Sequence, residues 1–299
     1  MVVNTPKQWW RMLFVLRGTT LRRTWIRILV TAVLAEVVAL NWDRLGFESL
    51  TTTPFALIGL ALSIFLGFRN SASYDRYWEA RKLWGRLINA SRTWTRQVHT
   101  LVEGDVLRRT LVERQIAYAH ALRLHLRGEP DDGTLAEVLG EEAKDVATYR
   151  NRPARIAQVT GEQLRRAWKD GAISEYHLPV LEETLTELLA LQGGCERIKA
   201  TPVPWTYVVL THRIVAVYCF SLPFGLVETV GPATGLVVAL IAFAFFGLDA
   251  IGEEIEEPFG HDANDLPLAG LCNTIEIDLR QALGDEPPAV LQPVDHLLH

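Results

Sequence analysis

The densest set of chemically capable side chains lies in the run DAIGEEIEEPFGHDAND, residues 249–265. It holds Asp249, Glu253, Glu254, Glu256, Glu257, Asp262 and Asp265, with Asn264 among them. Hard oxygen donors of this kind suit calcium or another hard cation, although the spacing does not match an EF-hand loop. Carboxylates in such a run also serve as a solvated acidic turn, or neutralise arginines on a neighbouring helix. Asp249, Glu253, Glu256, Asp262 and Asp265 are therefore candidates for a metal site or for an acidic site between subunits.

His212 and Arg213 form the second group, because they interrupt an apolar segment. Ionisable residues in such a segment face a bundle interior or water and find a partner. Glu36 and Asp249 are the candidate partners, with Glu36 and Arg213 as the intramembrane pair. A pore-lining charge is the alternative. His120 and His125 are five residues apart and His99 stands alone, which is poor spacing for a metal. There is no HExxH, Walker loop, GxSxG or glycine-rich dinucleotide turn. An enzyme is not indicated. A membrane-bound metal-dependent hydrolase using the acidic run is the enzyme alternative, and a non-conducting membrane scaffold is a third.

These groups are carried by a chain of patchy composition. Ile28–Leu40, Pro54–Phe68, Val203–Val227 and Ala233–Ile251 are apolar, the first broken by Glu36 and the third by His212 and Arg213. A membrane crossing needs about 20 mostly apolar residues, so two of these are short. Loop charge supports crossing nonetheless. Lys7, Arg11, Arg17, Arg22, Arg23 and Arg27 precede the first segment, and Arg69, Arg76, Arg81, Lys82, Arg86, Arg92 and Arg96 follow the second. The short links at 41–53 and 228–232 are nearly free of basic residues. Basic residues stay cytoplasmic, so both termini and the middle region are expected inside, in a multi-pass inner-membrane protein. The net charge of −5 gives no reason to expect nucleic acid. Three scattered cysteines indicate neither a disulfide framework nor a zinc ribbon. The basic N-terminus does not look like a removable signal peptide.

The expected organisation is a basic cytosolic segment at 1–27, a first helical pair at 28–68, a cytosolic helical region at 69–202 and a second pair at 203–251. A cytosolic acidic loop and helix follow at 252–283, then a flexible tail at 284–299. Thr52 or Thr53 caps the second segment and Pro54 suits its first turn. No proline follows until Pro130, so one helix is expected to leave the membrane near Phe68 and continue past Trp78, Trp84 and Trp94. In the middle region, Leu178, Leu181, Leu185, Leu188 and Gln192 step by three and four. That makes a narrow seam for core packing or self-association.

Three blocks, FLGFRNSASYDRYWEARKLWG, TPVPWTYVVLTHR and GLDAIGEEIEEPFGHDANDLPLAGLCNTIEIDL, resemble the bestrophins in family order over about 7–280. The resemblance implies an all-α membrane protein with four transmembrane helices per subunit and a large helical cytosolic region. It further implies a homopentamer around a central pore that passes ions. The family's hydrophobic neck falls on Leu60, Ile64 and Phe68. Steps of four residues return a helix to nearly one face, each about 6 Å higher, so five copies would stack three apolar rings that gate by dewetting. A second, cytosolic constriction falls on Leu178.

The family's calcium clasp is an unbroken aspartate run in animal members. Here only Asp262 and Asp265 keep carboxylates, so no cofactor is required and calcium is left open. Ile64 replaces the phenylalanine common in anion-passing relatives and removes its positive ring edge. A monovalent-cation pore, for sodium, is therefore expected. A calcium-regulated chloride channel of the same fold is the alternative.

Overall fold

The computed structural model describes residues 18–46 and 51–293. Most of the basic N-terminal segment, four residues of the first link and the last part of the tail lie outside the described residues. The described helices are α1 (Leu21–Leu45), α2 (Thr52–Leu101), α3 (Asp105–Arg127), α4 (Thr134–Leu139) and α5 (Glu142–Ala147). They continue with α6 (Arg152–Lys169), α7 (Leu178–Ala200), α8 (Trp205–Val230), α9 (Thr234–Glu256) and α10 (Leu268–Leu283). The sole β element among the described residues is an isolated bridge between Val102 and Ile173. They divide into two compact units. One runs to Tyr77 and resumes over Pro202–Pro258, and the other takes Trp78–Thr201 and the chain from Phe259 onward.

The first unit holds α1, the first half of α2, α8 and α9. Three helical stretches are long and apolar enough to cross a membrane: Leu21–Arg44, Thr52–Leu101 and Trp205–Glu256. The last doubles back at a 3-10 turn, Gly231–Ala233, which separates α8 from α9. The four apolar segments of the sequence thus occupy three stretches. Thr24 and Thr31 are buried in α1 and donate their hydroxyls to the carbonyls of Thr20 and Arg27, at 3.0 and 2.7 Å. Such back-bonding satisfies a hydroxyl where no water reaches it. Ala35, Phe55, Leu62, Leu66, Val215 and Phe246 form the core of this unit. Tyr218 meets Phe245 edge-on, with ring centroids 5.0 Å apart.

Two glycines let these helices close. A Cβ at Gly59 would collide with the Tyr218 hydroxyl, and one at Gly225 with the Phe55 ring. Small residues at such crossings are the usual means by which membrane helices approach, since hydrocarbon gives no hydrophobic drive between them. The helix α2 is 50 residues long, about 75 Å at 1.5 Å per residue. It contains no proline beyond its first turn, as its sequence led us to expect.

The second unit is built on α3. Along α3 both faces are covered, and residues from Leu111 to Leu122 are buried almost without interruption. Trp84 and Trp94 from α2 are fully buried, and the Trp94 indole donates to the Leu111 carbonyl at 3.1 Å. Trp78 remains half exposed. Of the leucine seam, Leu181, Leu185, Leu188 and Gln192 are buried within the chain, while Leu178 is only partly covered. The Tyr118 hydroxyl donates to the Leu188 carbonyl at 2.8 Å and lies 3.1 Å from Gln192 Oε1. His120 on α3 reaches Glu276 on α10 at 2.9 Å, and the Arg280 Nε donates to the same carboxylate at 2.7 Å. The seam is therefore core packing, the first of its two expected uses.

Candidate functional site

The periodicity of α2 sorts its side chains into two faces. Phe55, Gly59, Leu62, Leu66, Arg69 and Ser73 point inward and are buried. Leu60, Ile64 and Phe68 lie on another face and are 63, 51 and 66 % exposed. Nothing polar accompanies them along that stripe until Ser71. Ala61, Ser63 and Gly67 flank it, and the Ser63 hydroxyl is turned back onto the Gly59 carbonyl at 2.8 Å. Three large apolar groups facing outward in a row, beside small residues, mark a surface that something must cover or that narrows a passage.

The inward face is anchored just past this stripe. The Arg69 Nη1 donates to Asp249 Oδ1 at 2.5 Å, and the two side chains are 0 and 1 % exposed. The second oxygen of Asp249 lies 2.5 Å from His212 Nδ1. One carboxylate of α9 therefore holds both α2 and α8. Burying charge is costly unless it is paired and hydrogen-bonded, and this arrangement pairs it. Arg69 Nε and Nη2 and the Ser73 hydroxyl are buried without a hydrogen-bond partner. The Asn70 amide donates to the Leu248 carbonyl at 3.0 Å, and Arg76 Nε to the Glu256 carbonyl at 3.2 Å. A Cβ at Gly252 would strike the Asn70 side chain. Three residues of α2 and four of α9 thus lock the two helices along two turns.

The acidic run is dispersed. Asp249 is occupied as described. Glu256 Oε1 accepts the Val203 backbone N–H at 3.0 Å, closing the start of α8. Glu253 is exposed and lines a cavity with Arg27 and His212. In the second unit, Asp265 Oδ2 accepts the Asp262 backbone N–H at 2.7 Å, an internal turn contact. Among the described residues no three His, Cys, Asp or Glu side chains gather as a ligand set would.

Glu36 and Arg213 are not brought together. The Glu36 carboxylate lies against Gly235, 2.5 Å from where a Cβ there would stand. Arg213 is exposed beside Ile58, Ile214 and Val217. Consecutive helical residues point about 100° apart, so with His212 aimed at Asp249, Arg213 must face elsewhere. The sequence placed Arg69 among the charges that orient the chain, and offered the acidic run as a neutraliser of arginines on a neighbouring helix without singling Arg69 out. The signal for its role was present: it is the first charge after the stripe, and Asp249 is the first charge in the last apolar segment.

A family model described as Bacterial/Fungal Bestrophin protein matches residues 1–281. The chain is 40 % identical over 302 residues to the voltage-dependent anion channel-forming protein YneE of Escherichia coli strain K12, covering 99 % of each. It is 39 % identical over 293 residues to the voltage-dependent anion channel-forming protein mll4386 of Mesorhizobium japonicum, covering 97 % of this chain and 95 % of that one. A crystal structure of a bacterial bestrophin homologue from Klebsiella pneumoniae superposes with a TM-score of 0.84 at 35 % identity. The match covers 88 % of this chain and 99 % of that one.

Proposed function

We propose, from the premise that this chain belongs to the bestrophin family in its bacterial and fungal branch, that it forms a passive ion channel. In this reading α1, the first half of α2, α8 and α9 cross the inner membrane, with both termini in the cytosol. Five copies surround one pore. Leu60, Ile64 and Phe68 face that pore as three apolar rings, which resist wetting and so gate conduction. The observation that carries it is the exposure of those three side chains on a helix whose opposite face is packed and ion-paired. Leu178 is the proposed cytosolic constriction.

The sodium preference expected from Ile64 gains no support from the relatives, whose names speak of anions. We therefore place small inorganic anions, chloride above all, as the permeant species. Cations are the second reading, because an aliphatic Ile64 ring offers an anion no positive edge. Purified protein reconstituted into planar bilayers under a sodium chloride gradient decides between them. A reversal potential near the chloride equilibrium value supports the anion pore, and one near the sodium value replaces it. An assembled protein that passes no ion at all overturns the channel reading. A calcium dependence of the current, lost in Asp262→Ala, would bring the acidic run back as a cation site.

A further inference from the structure

In the membrane unit, α1, α8 and α9 enclose a cavity of about 360 Å³ lined by Arg27, His212, Phe220, Phe246, Asp249 and Glu253. The Arg27 guanidinium and the Glu253 carboxylate are both exposed, and neither has an ion-pair partner among the described residues. Phe246 is buried and forms the floor, and Phe220 is partly exposed at the side. His212, its Nδ1 held on Asp249, is the inner wall. A cavity with an apolar floor and a few charged groups at its rim has the form of a small-molecule site. Here the rim offers one positive and one negative charge.

Its depth is fixed by its neighbours. Trp25, half exposed, sits two residues before Arg27, and Ile26, Leu29, Val30 and Val33 stand exposed along α1 beyond it. Tryptophan and arginine at the end of an apolar helix mark the headgroup level of a membrane. Glu253 lies in the last turn of α9, which ends at Glu256. The charged rim is therefore at headgroup level, with an apolar helix face leading away from it toward the acyl chains.

We propose that this cavity binds the headgroup of a phospholipid that carries both a phosphate and a primary ammonium, as phosphatidylethanolamine does. The phosphate oxygens accept from the Arg27 guanidinium, whose planar fork suits phosphate. The ammonium donates to the Glu253 carboxylate, and the acyl chains run along Ile26, Leu29 and Val30. A trimethylammonium group has no N–H to give Glu253, and an anionic glycerol headgroup has no cation for it. The site rests on the membrane-spanning reading given above. Its wall, His212, shares Asp249 with Arg69, the residue that follows Phe68.

The test is lipid retention measured by native mass spectrometry on the detergent-extracted full-length protein. Samples are equilibrated with phosphatidylethanolamine, phosphatidylcholine or phosphatidylglycerol. Phosphatidylethanolamine should be retained above the other two. Arg27→Gln and Glu253→Gln should each weaken retention about tenfold, the scale of one charge-assisted hydrogen bond. Arg27→Lys should keep only part of it, since an ammonium has the charge without the fork, and Arg22→Gln, on the same helix outside the cavity, should change nothing. Soluble phosphoethanolamine at matched concentration should fail to displace the lipid, since it lacks the acyl contacts. Equal retention of all three lipids, indifference to both glutamine variants, or displacement by the free headgroup each overturns the proposal and leaves the membrane reading standing. Recovery of the protein from cells without detergent overturns the membrane reading itself.

Discussion

The Arg69 guanidinium meets the Asp249 carboxylate at 2.5 Å, 180 residues away in the chain, with both side chains withdrawn from the surface. Removing one partner leaves the other as an uncompensated buried charge, which costs about 3–5 kcal/mol. Asp249→Asn and Arg69→Met should each destabilise the protein on that scale. Joining Arg69→Met with Asp249→Asn should cost clearly less than the sum of the two single changes. Denaturant unfolding in detergent micelles measures all of these, and additive losses would show that the pair is not coupled.

The two faces of α2 should respond to truncation in opposite ways. Ile64→Ala and Phe68→Ala remove exposed groups, so stability should change little while single-channel conductance or leak rises. Leu62→Ala removes a side chain that is 3 % exposed and should cost about 2–5 kcal/mol without opening the passage. Unaltered currents in both stripe variants would count against the proposed gate.

Gly59→Ala should destabilise by about 1–3 kcal/mol, the usual cost of forcing an added methyl into a packed site. The obstacle is the Tyr218 hydroxyl, so Tyr218→Phe in the same chain should recover part of the loss. Thermal unfolding of the single and double variants checks this.

In the second unit, the hydrogen bond with His120, reinforced by Arg280, holds the Glu276 carboxyl at about 2, well below the ordinary 4.5, against the opposing effect of burial. A carboxyl depressed in the folded state contributes stability above its unfolded value and loses that contribution as pH falls through the folded one. Wild-type stability should therefore decline between about pH 4.5 and pH 2, and Glu276→Gln should decline less over that window. Acid titrations of unfolding midpoints, followed by circular dichroism on the full-length protein, make the comparison.

Much of this architecture was legible from local rules. The unbroken run of α2 followed from the missing prolines, and the leucine seam of α7 from three- and four-residue steps. Pairings across the chain were less so. That His212 and Asp249 were possible partners could be read from their shared apolar surroundings, but the choice between His212 and Arg213 depended on the rotation of α8. Glu36 and Arg213 looked like a pair because each was a lone charge, and helix phase sends them to different neighbours. Arg69 was hidden by its company. Beside so many topology-setting arginines, its place as the first charge after the stripe was the one local sign that it turns inward. Ion preference was least legible, because an apolar ring carries little information about the sign of what passes it.

Phe68 and Arg69 are consecutive residues, one looking outward and the other fixed into the protein interior. With no spacer between them, the grip on the arginine also sets the rotation at which its aromatic neighbour is shown to the outside.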